Sequence, residues 1–593
     1  MSSSPRHAAR LLQVAPGLLV AATAFFALPN EAGGFRLAKW SLFGLGLCAI
    51  GVASLLRPPP RRLPARWVPL GGFVALAVAL PALSSSLAAT HWPGALGLLS
   101  GLALFFLVAA AHDDSDDARR SSLAVLVAGG ALCAVVVLLQ AAGLRWLTSE
   151  VYTGLEFRAP GTFGNPNWAA AYLAPLVPLS LGLAAGASPA RRRVYHAAAA
   201  LLAAATLATL SKGGLVTLAA GLVAFGCLGR NQPRGRRLVL LAVTFGCAAA
   251  ALALAWQQDL AAQASWLRGR LFLWRAALEI VAQHPLTGVG IGGYPSAYGR
   301  AAAALVNGDP HAFMPLSSVD FAHNDLLQLA AEGGLLTAAA FVVVVVVVLR
   351  TAHVRGDSQS RAVGAALVAL VACGFADSPL RVPSTFVLFF FLLGFLSPSA
   401  PSRLHRPVLA AVALLGLLQG VRFAAGNAAW TRGREALRAN EPAVSDLSRA
   451  RHWMPEHGRS ASQYARALAR AGRFEEALAA STRAASLRFD FDDEIFRRDL
   501  QGRSLEVAAA LRQWQELAAT FPALVTPQLR LGALHLRAGN RPAAIAAYEA
   551  VIENPQATPR AEAARTQARG MLKALGPKSR RPRGGSPQRG RGP

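Results

Sequence analysis

Over the first 427 positions, apolar residues run in long blocks broken by short polar stretches, as at 123–139 and 238–256. A block of roughly 17–25 such residues crosses a hydrocarbon core as a helix that satisfies its own backbone hydrogen bonds. Reading the blocks by length gives about thirteen candidate spans. They begin near Leu11, Leu37, Trp67, Gly94, Ser121, Pro166, Val194, Gly213, Leu238, Asp325, Ala362, Ser384 and Pro407. The block at 362–377 is short and the one from Ser384 is bracketed by prolines, so the expected count is about 12–13. The first block follows Arg6 and Arg10 in the manner of a signal peptide. No small-x-small cleavage site follows it, and it is read as an uncleaved first span.

Beyond 427 the pattern changes to amphipathic helices. The stretch 463–477 (QYARALARAGRFEEA) has the form of a tetratricopeptide helix-turn-helix. The stretch 531–540 (LGALHLRAGN), followed by Ala543, Ala544 and Tyr548, repeats it. The turn glycines Gly472 and Gly539 stand close to two periods of roughly 34 residues apart, with a degenerate repeat expected around 507–519. The expected fold is therefore all-α: a polytopic transmembrane helical bundle at 1–427 and a tetratricopeptide-like helical repeat domain at 428–575. Residues 576–593 are rich in Gly, Pro, Ser and Arg and are expected to form a disordered basic tail.

Composition agrees with this layout. Hydrophobic residues make up 54% of the chain and charged ones 15%, with a mean hydropathy of +0.38. The net charge of +28 is carried largely by arginines in short loops and in the tail, without a nucleic-acid-binding motif. Arg57, Arg61, Arg62 and Arg66 follow the second span, Arg191, Arg192 and Arg193 the sixth, Arg230, Arg234, Arg236 and Arg237 the eighth, and Arg350, Arg355 and Arg361 the tenth. All these loops fall on the side of the N-terminus, which the positive-inside rule makes cytoplasmic. Two long connections, 144–165 and 257–324, then lie outside, and thirteen spans place the repeat domain outside as well. Cys48, Cys133, Cys227, Cys247 and Cys373 all sit inside apolar blocks, without metal-like pairing, and read as small core residues.

Three outer segments carry candidate chemistry: 158–168 (RAPGTFGNPNW), 268–275 (RGRLFLWR) continuing to 284–294 (HPLTGVGIGGY), and 323–328 (HNDLLQ) running into Glu332-Gly333-Gly334. In the first, Gly and Pro force a turn, and Asn165 and Asn167 can satisfy its backbone before a span starts. The third places His323 and Asn324 where the tenth span begins, and a helix N-terminus there favours the neutral imidazole. Residues 288–293 satisfy the spacing G-x-G-x-x-G. That fingerprint requires a βαβ unit, and on an outer loop between spans it reads as a plain glycine-rich turn.

Taken together and in this order, these segments resemble the superfamily of O-antigen ligases, O-antigen polymerases and bacterial protein O-oligosaccharyltransferases. Its His-Asn-x-x-Leu motif matches His323, Asn324 and Leu327. Its Arg, Trp and Pro-x-x-Gly-x-Gly segment matches Arg270, Trp274, Pro285, Gly288 and Gly290, and its Gly-Thr-Phe-Gly-Asn-Pro-Asn turn is present at 161–167. The resemblance covers roughly 160–349. It implies a ligase that transfers a polyprenyl-diphosphate-linked glycan to an acceptor hydroxyl at the outer face of the bacterial cytoplasmic membrane, without cofactor or metal. His323 is then the catalytic base, Arg158, Arg270 and Lys212 contact the diphosphate, and Asn324, Asn165 and Asn167 support them. Arginine suits a diphosphate through its permanent charge and bidentate fork, and histidine suits proton transfer near neutral pH. The implied partners are the lipid-linked glycan, a glycolipid, glycan or protein acceptor, and an envelope protein on the repeats.

The plainer readings stand beside these. His323 can be a helix cap, Arg158 and Arg270 interfacial anchors, Lys212 a snorkelling end residue, and His284 and His311 loop residues. Within the class, a polymerase or a protein O-oligosaccharyltransferase is the alternative. Outside it stand a transporter, which calls for ionisable groups inside the spans, and a non-catalytic scaffold.

Overall fold

The computed structural model describes residues 4–28, 35–56, 62–64, 68–85, 87–111, 116–144, 158–228, 260–308, 319–401, 405–554 and 559–576. The span expected from Leu238, the tail beyond 576, His311, Cys247, the loop arginines Arg57, Arg61, Arg66, Arg230, Arg234, Arg236 and Arg237, and most of the 144–165 connection lie outside these residues. By compactness the chain divides into two units, Met1–Ala302 with Phe313–Asp493, and Ala303–Ala312 with Glu494–Pro593.

The first unit opens with α1 (Ser4–Phe25), α2 (Leu37–Leu55), the short strand β1 (Arg62–Pro64), α3 (Val68–Ala79), α4 (His91–Ala111) and α5 (Asp116–Ala141). It continues with α6 (Pro166–Ala184), α7 (Pro189–Ala208), α8 (Lys212–Cys227), α9 (Leu260–Gln283), α10 (Tyr294–Gly308), α11 (Asp325–Arg355), α12 (Ser358–Cys373) and α13 (Pro383–Leu396). Strand β2 (Ser399–Pro401) and the long α14 (His405–Arg438) follow, then α15 (Val444–Trp453), α16 (Gly458–Arg470) and α17 (Phe474–Leu487). The division between the units falls within α10 and again within α18 (Phe491–Gln501). The remainder of the second unit is α19 (Val507–Thr520), α20 (Val525–Arg537), α21 (Arg541–Glu553) and α22 (Pro559–Leu575).

Among the described residues, six helices are long and apolar enough to cross a membrane: α2, α4, α5, α6, α11 and α14. Shorter apolar helices lie at Leu11–Phe25, Val68–Leu83, Lys212–Cys227, Ser358–Cys373 and Pro383–Leu396. Every expected span except that from Leu238 thus coincides with a helix, the seventh being the arginine-headed α7. The expected all-α fold is observed, with one small departure among the described residues. β1 and β2 pair antiparallel, Arg62 opposite Pro401 and Pro64 opposite Ser399. Since β1 follows α2 and β2 precedes α14, these two connections share one end of the bundle, as alternating spans require.

Packing of the bundle relies on small residues and on one wholly buried helix. A β-carbon on Gly44 of α2 would lie 2.4 Å from the backbone nitrogen of Gly420 on α14, and one on Gly416 would lie 2.6 Å from Cys48 N. Helices without a hydrophobic driving force between them associate by this kind of backbone approach. All fourteen residues of α13 are buried, Phe389, Phe390 and Phe391 among them.

The spans are not charge-free. Lys39 of α2 is buried, and its Nζ donates to the carbonyls of Thr23 (3.0 Å), Ala24 (2.5 Å) and Phe26 (2.6 Å). Thr23 and Ala24 belong to the last turn of α1, whose carbonyls have no intrahelical partner, and Phe26 follows it directly. The lysine is a helix cap written into another helix.

Beyond the bundle, α16 and α17 form an antiparallel pair turning at Gly472 (φ +77°). In the second unit α20 and α21 do the same at Gly539 (φ +72°). Left-handed φ at these helix ends is where glycine costs least. Val525, Ala544, Tyr548, Val551, Ala561 and Ala564 form the small core of the second unit.

Candidate functional site

Two glycine-rich segments build the site together. Helix α11 is interrupted at Gly334, whose φ and ψ are +81° and 169°. The interruption frees backbone groups that the turn after α9 takes up. Val289 N donates to Ala331 O (3.0 Å), Gly290 N to Glu332 O (2.8 Å) and Leu335 N to Pro285 O (2.8 Å). The backbones approach so closely that a β-carbon on Gly334 would lie 2.0 Å from Leu286 O, and one on Gly288 2.4 Å from Glu332 O. Gly288, Gly290 and Gly292 all have positive φ. The G-x-G-x-x-G spacing is therefore a docking turn for a broken helix. His91 of α4 supports the same turn, its Nδ1 accepting from Ile291 N at 3.2 Å.

Upstream of the break, Asn324 caps α11 by accepting from Leu327 N (3.1 Å), and its Nδ2 donates to Phe375 O (3.3 Å). Asp325 N donates to Gly374 O (2.7 Å). These bonds tie the start of α11 to the end of α12. His323, just before the cap, has φ +52°, a left-handed value that is uncommon outside glycine and costs on the order of 1–3 kcal/mol. The conformation is held by its neighbours. Gln328 Oε1 accepts from Ala322 N (3.1 Å), and Trp274 Nε1 donates to His323 O (3.4 Å).

The imidazole is thereby aimed at the loop after α12. His323 Nδ1 lies 2.8 Å from Asp377 Oδ1, with the histidine side chain 31% and the aspartate 15% exposed. An ionised carboxylate only accepts, so Nδ1 carries the proton in this bond and Nε2 is left to act. Burial by itself would raise the Asp377 pKa. The hydrogen bond and charge of His323, the Arg270 guanidinium and the Ser378 backbone N–H outweigh it and hold the pKa below the ordinary carboxylate value. Arg270, on α9, is in turn lowered by burial against the favourable field of Asp377. His323, Asp377 and Arg270 form one electrostatic group. The helix N-terminus expected beside His323 is present, and so is a carboxylate partner, Asp377, that sequence reasoning left out.

The remaining candidates form a neighbouring group. Arg158 Nε donates to Thr209 O (3.1 Å) and its Nη2 to Asn167 Oδ1 (3.0 Å). Asn165 caps α6 by accepting from Asn167 N (2.8 Å). Ser211 caps α8 by accepting from Gly214 N (3.1 Å), which sets Lys212 as the first residue of that helix. Arg158, Asn167 and Lys212 therefore meet around the α7–α8 turn. Helix α8 packs on α12, where a β-carbon on Gly221 would lie 3.1 Å from that of Ala369.

A cavity of ≈ 760 Å³ opens beside the start of α11. Phe321 and Asp325, on either side of His323, line it; His323, Arg270, Arg158 and Lys212 lie outside its wall. Its wall includes an apolar set, Phe73, Phe341, Phe386, Phe389 and Leu98, and an arginine-rich one, Arg36, Arg381, Arg422, Arg434, Arg459 and Arg488. Within it Arg381 Nη2 pairs at 2.6 Å with Glu332, whose side chain is fully buried. Asp320 takes Arg459 at 2.7 Å, with Arg36 and Arg488 each at 3.8 Å. Asp377, Arg381, Gln328 and Asp320 were not legible as site residues. The one signal for Asp377 is an acidic residue at the outer edge of the short block 362–377, and its partner lies 54 positions away.

Buried apolar helices of spanning length, gathered around a half-polar cavity, define a multi-pass membrane protein. It carries an O-antigen ligase domain: the family model of that description matches residues 197–342. The match supports the resemblance to the O-antigen ligase superfamily and, with it, a membrane glycan-processing function of the ligase or polymerase type. Lys212, Arg270, His323 and Asn324 fall within the matched residues; Arg158 precedes them and Asp377 follows. A search of curated proteins finds no match.

Proposed function

We propose that the protein is a ligase that moves a glycan from a polyprenyl diphosphate to an acceptor hydroxyl on the outer face of the bacterial cytoplasmic membrane. The observation that carries this reading is the 2.8 Å bond from His323 Nδ1 to Asp377, beside a cavity lined by both apolar side chains and arginines. Asp377 holds the imidazole in the tautomer that presents Nε2. That nitrogen takes the proton of the acceptor hydroxyl as its oxygen attacks the anomeric carbon. The bond from that carbon to the diphosphate oxygen breaks, and its electron pair leaves with the polyprenyl diphosphate. The leaving group gains negative charge, which Arg270, Arg158 and Lys212 are arranged to offset; such prearranged cations need no reorganisation during the step. Permanent cations make a divalent ion unnecessary in this scheme. The apolar part of the cavity wall suits the isoprenoid chain, and the volume lies within the ~300–1,000 Å³ usual for ligand pockets.

The basic loops between the spans support an outward-facing site. The test is transfer in proteoliposomes from a lipid-linked glycan, with wild type and His323→Ala. Loss of about 10²–10⁴ in rate is the expected contribution of a general base. Undiminished transfer by a folded His323→Ala would overturn the mechanism. The acceptor consumed separates a ligase from a polymerase or a protein O-oligosaccharyltransferase.

A further inference from the structure

A second cavity of ≈ 700 Å³ adjoins the one beside His323 and shares Trp430, Arg434, Arg438, Arg459 and Arg488 with it. The second is walled by the end of α14, by α16 and by the residues just after α17, all within the first unit. Here six arginines, the four shared ones named above with Arg466 and Arg470 completing the set, line the wall together with Asp490, Asp492 and Asp493.

The carboxylates are already shared. Asp493 Oδ1 takes Arg466 at 2.8 Å, its Oδ2 lies 3.8 Å from Arg488, and Asp490 takes Arg488 at 3.1 Å. Arg470 spends a donor on the neutral carbonyl of Leu437 at 2.6 Å. Arg488 is 12% exposed; its Nη1 lies 3.8 Å from Asp320 Oδ1, beyond hydrogen-bond distance, and both Nη1 and Nε are buried without a hydrogen bond. Buried guanidinium donors in that condition are costly in an empty site and are met by an anionic ligand. Uncharged features of the wall complete the picture: Ser462 and Gln463 offer hydrogen-bonding side chains, and Gln463 Oε1 accepts from Trp430 Nε1 at 2.7 Å.

We infer that this second cavity is a binding groove for an acidic glycan chain, one whose sugars bear carboxylate or phosphate groups. It would hold the part of the chain distal to the diphosphate while the reducing end reacts near His323. The inference rests on the proposed transferase reading and specifies its substrate class. A phospholipid headgroup offers the same phosphate chemistry, but the distances disfavour it. With the edge of the hydrocarbon core taken at Arg422, the first charged residue after the apolar run of α14, Arg434 and Arg438 lie 12 and 16 residues beyond it, or roughly 18 and 24 Å at 1.5 Å per residue. The headgroup region adds only about 5–8 Å to each side of the hydrocarbon core. Even at a tilt of about 40° the two arginines clear it.

The experiment uses the full chain in nanodiscs of zwitterionic and of anionic lipid. Binding of a defined oligogalacturonate is compared with a maltooligosaccharide of equal length by thermophoresis. We expect the acidic oligomer to bind at least about tenfold tighter in both lipids, with affinity falling steeply as salt rises. Arg434→Gln combined with Arg438→Gln should lower that affinity about tenfold, while the lysine pair at the same positions retains most of it and guards against misfolding. Equal binding of the two oligomers, indifference to the glutamine substitutions, or loss of binding in anionic lipid alone would each overturn the groove; the last would assign it to headgroups. Transfer assays separate this from the underlying reading. A protein that binds the acidic oligomer but transfers no lipid-linked glycan refutes the transferase and leaves the groove standing. One that transfers acidic and neutral glycans alike, without selective binding, refutes the groove alone.

Discussion

Asp377 offers the sharpest test of the site because its carboxylate bonds His323 and the Ser378 amide within the field of Arg270 and lines neither cavity. Two substitutions grade its contribution. Asp377→Ala removes the whole bond to His323 Nδ1. A hydrogen bond to a charged group contributes about 1.5–3 kcal/mol, and each 1.36 kcal/mol lost from the transition state is tenfold in rate. If the bond is fully engaged when Nε2 takes up its proton, kcat falls by roughly 10- to 150-fold. Asp377→Asn keeps an acceptor oxygen in place but loses the charge. Charge assistance is worth about half of such a bond, so the expected loss is nearer tenfold. In both variants KM for the lipid-linked glycan should change little, because Asp377 lies outside the cavity wall. The assay is steady-state transfer in proteoliposomes at pH 7. Asp377 has its pKa held below the ordinary 3.8, so its contribution is complete above that value and is lost only as pH falls through the lower, folded one. The assay pH therefore sits well inside the window. A folded Asp377→Ala that retains wild-type kcat while His323→Ala is inactive would refute the positioning role. A loss that appears only in KM would do the same.

Two further outcomes follow from the packing and the charges. Gly334→Ala forces a β-carbon to 2.0 Å from Leu286 O at φ +81°, where both space and backbone forbid it; it should destabilise by several kcal/mol, in the manner of overpacking plus strain. A thermal midpoint within a degree or two of wild type would show that the α9–α11 docking turn is not rigid. His457, facing Arg459, Arg36, Arg488 and Asp320, is pushed down from 6.5 to about 3, first by burial and then by the arginines. The unfolded chain binds that proton between pH 6.5 and 3 and the folded one does not, so stability should fall as pH drops through the window. His457→Asn, which keeps a cap for Ser460 N, should flatten the dependence of the melting temperature on pH, and an unchanged slope would sink this assignment.

What the sequence determined by itself is the part of this protein set by burial along the chain. Apolar blocks of spanning length must become helices, since lipid satisfies no backbone group, and every described one did. Caps were equally local: Asn165, Ser211 and Asn324 sit next to the amides they satisfy. The motif around His323 was readable because its residues are adjacent. Its chemistry was not, because Asp377 and Arg270 approach from other helices and nothing in local spacing encodes which ones. The glycines at 288–293 showed as a turn, but that they and Gly333-Gly334 admit each other's backbone is a fact of their contact. Lys39 and Glu332 look like liabilities in apolar spans until the third dimension supplies the carbonyls of α1 and the guanidinium of Arg381. The basic groove is likewise a tertiary product. Its arginines are spread over 434–488 in helices whose spacing reads as ordinary solvated repeats, and only folding gathers them around one cavity. Short-range patterning fixes which segments are helices and where they start, whereas partnership between charges depends on the distances that packing sets.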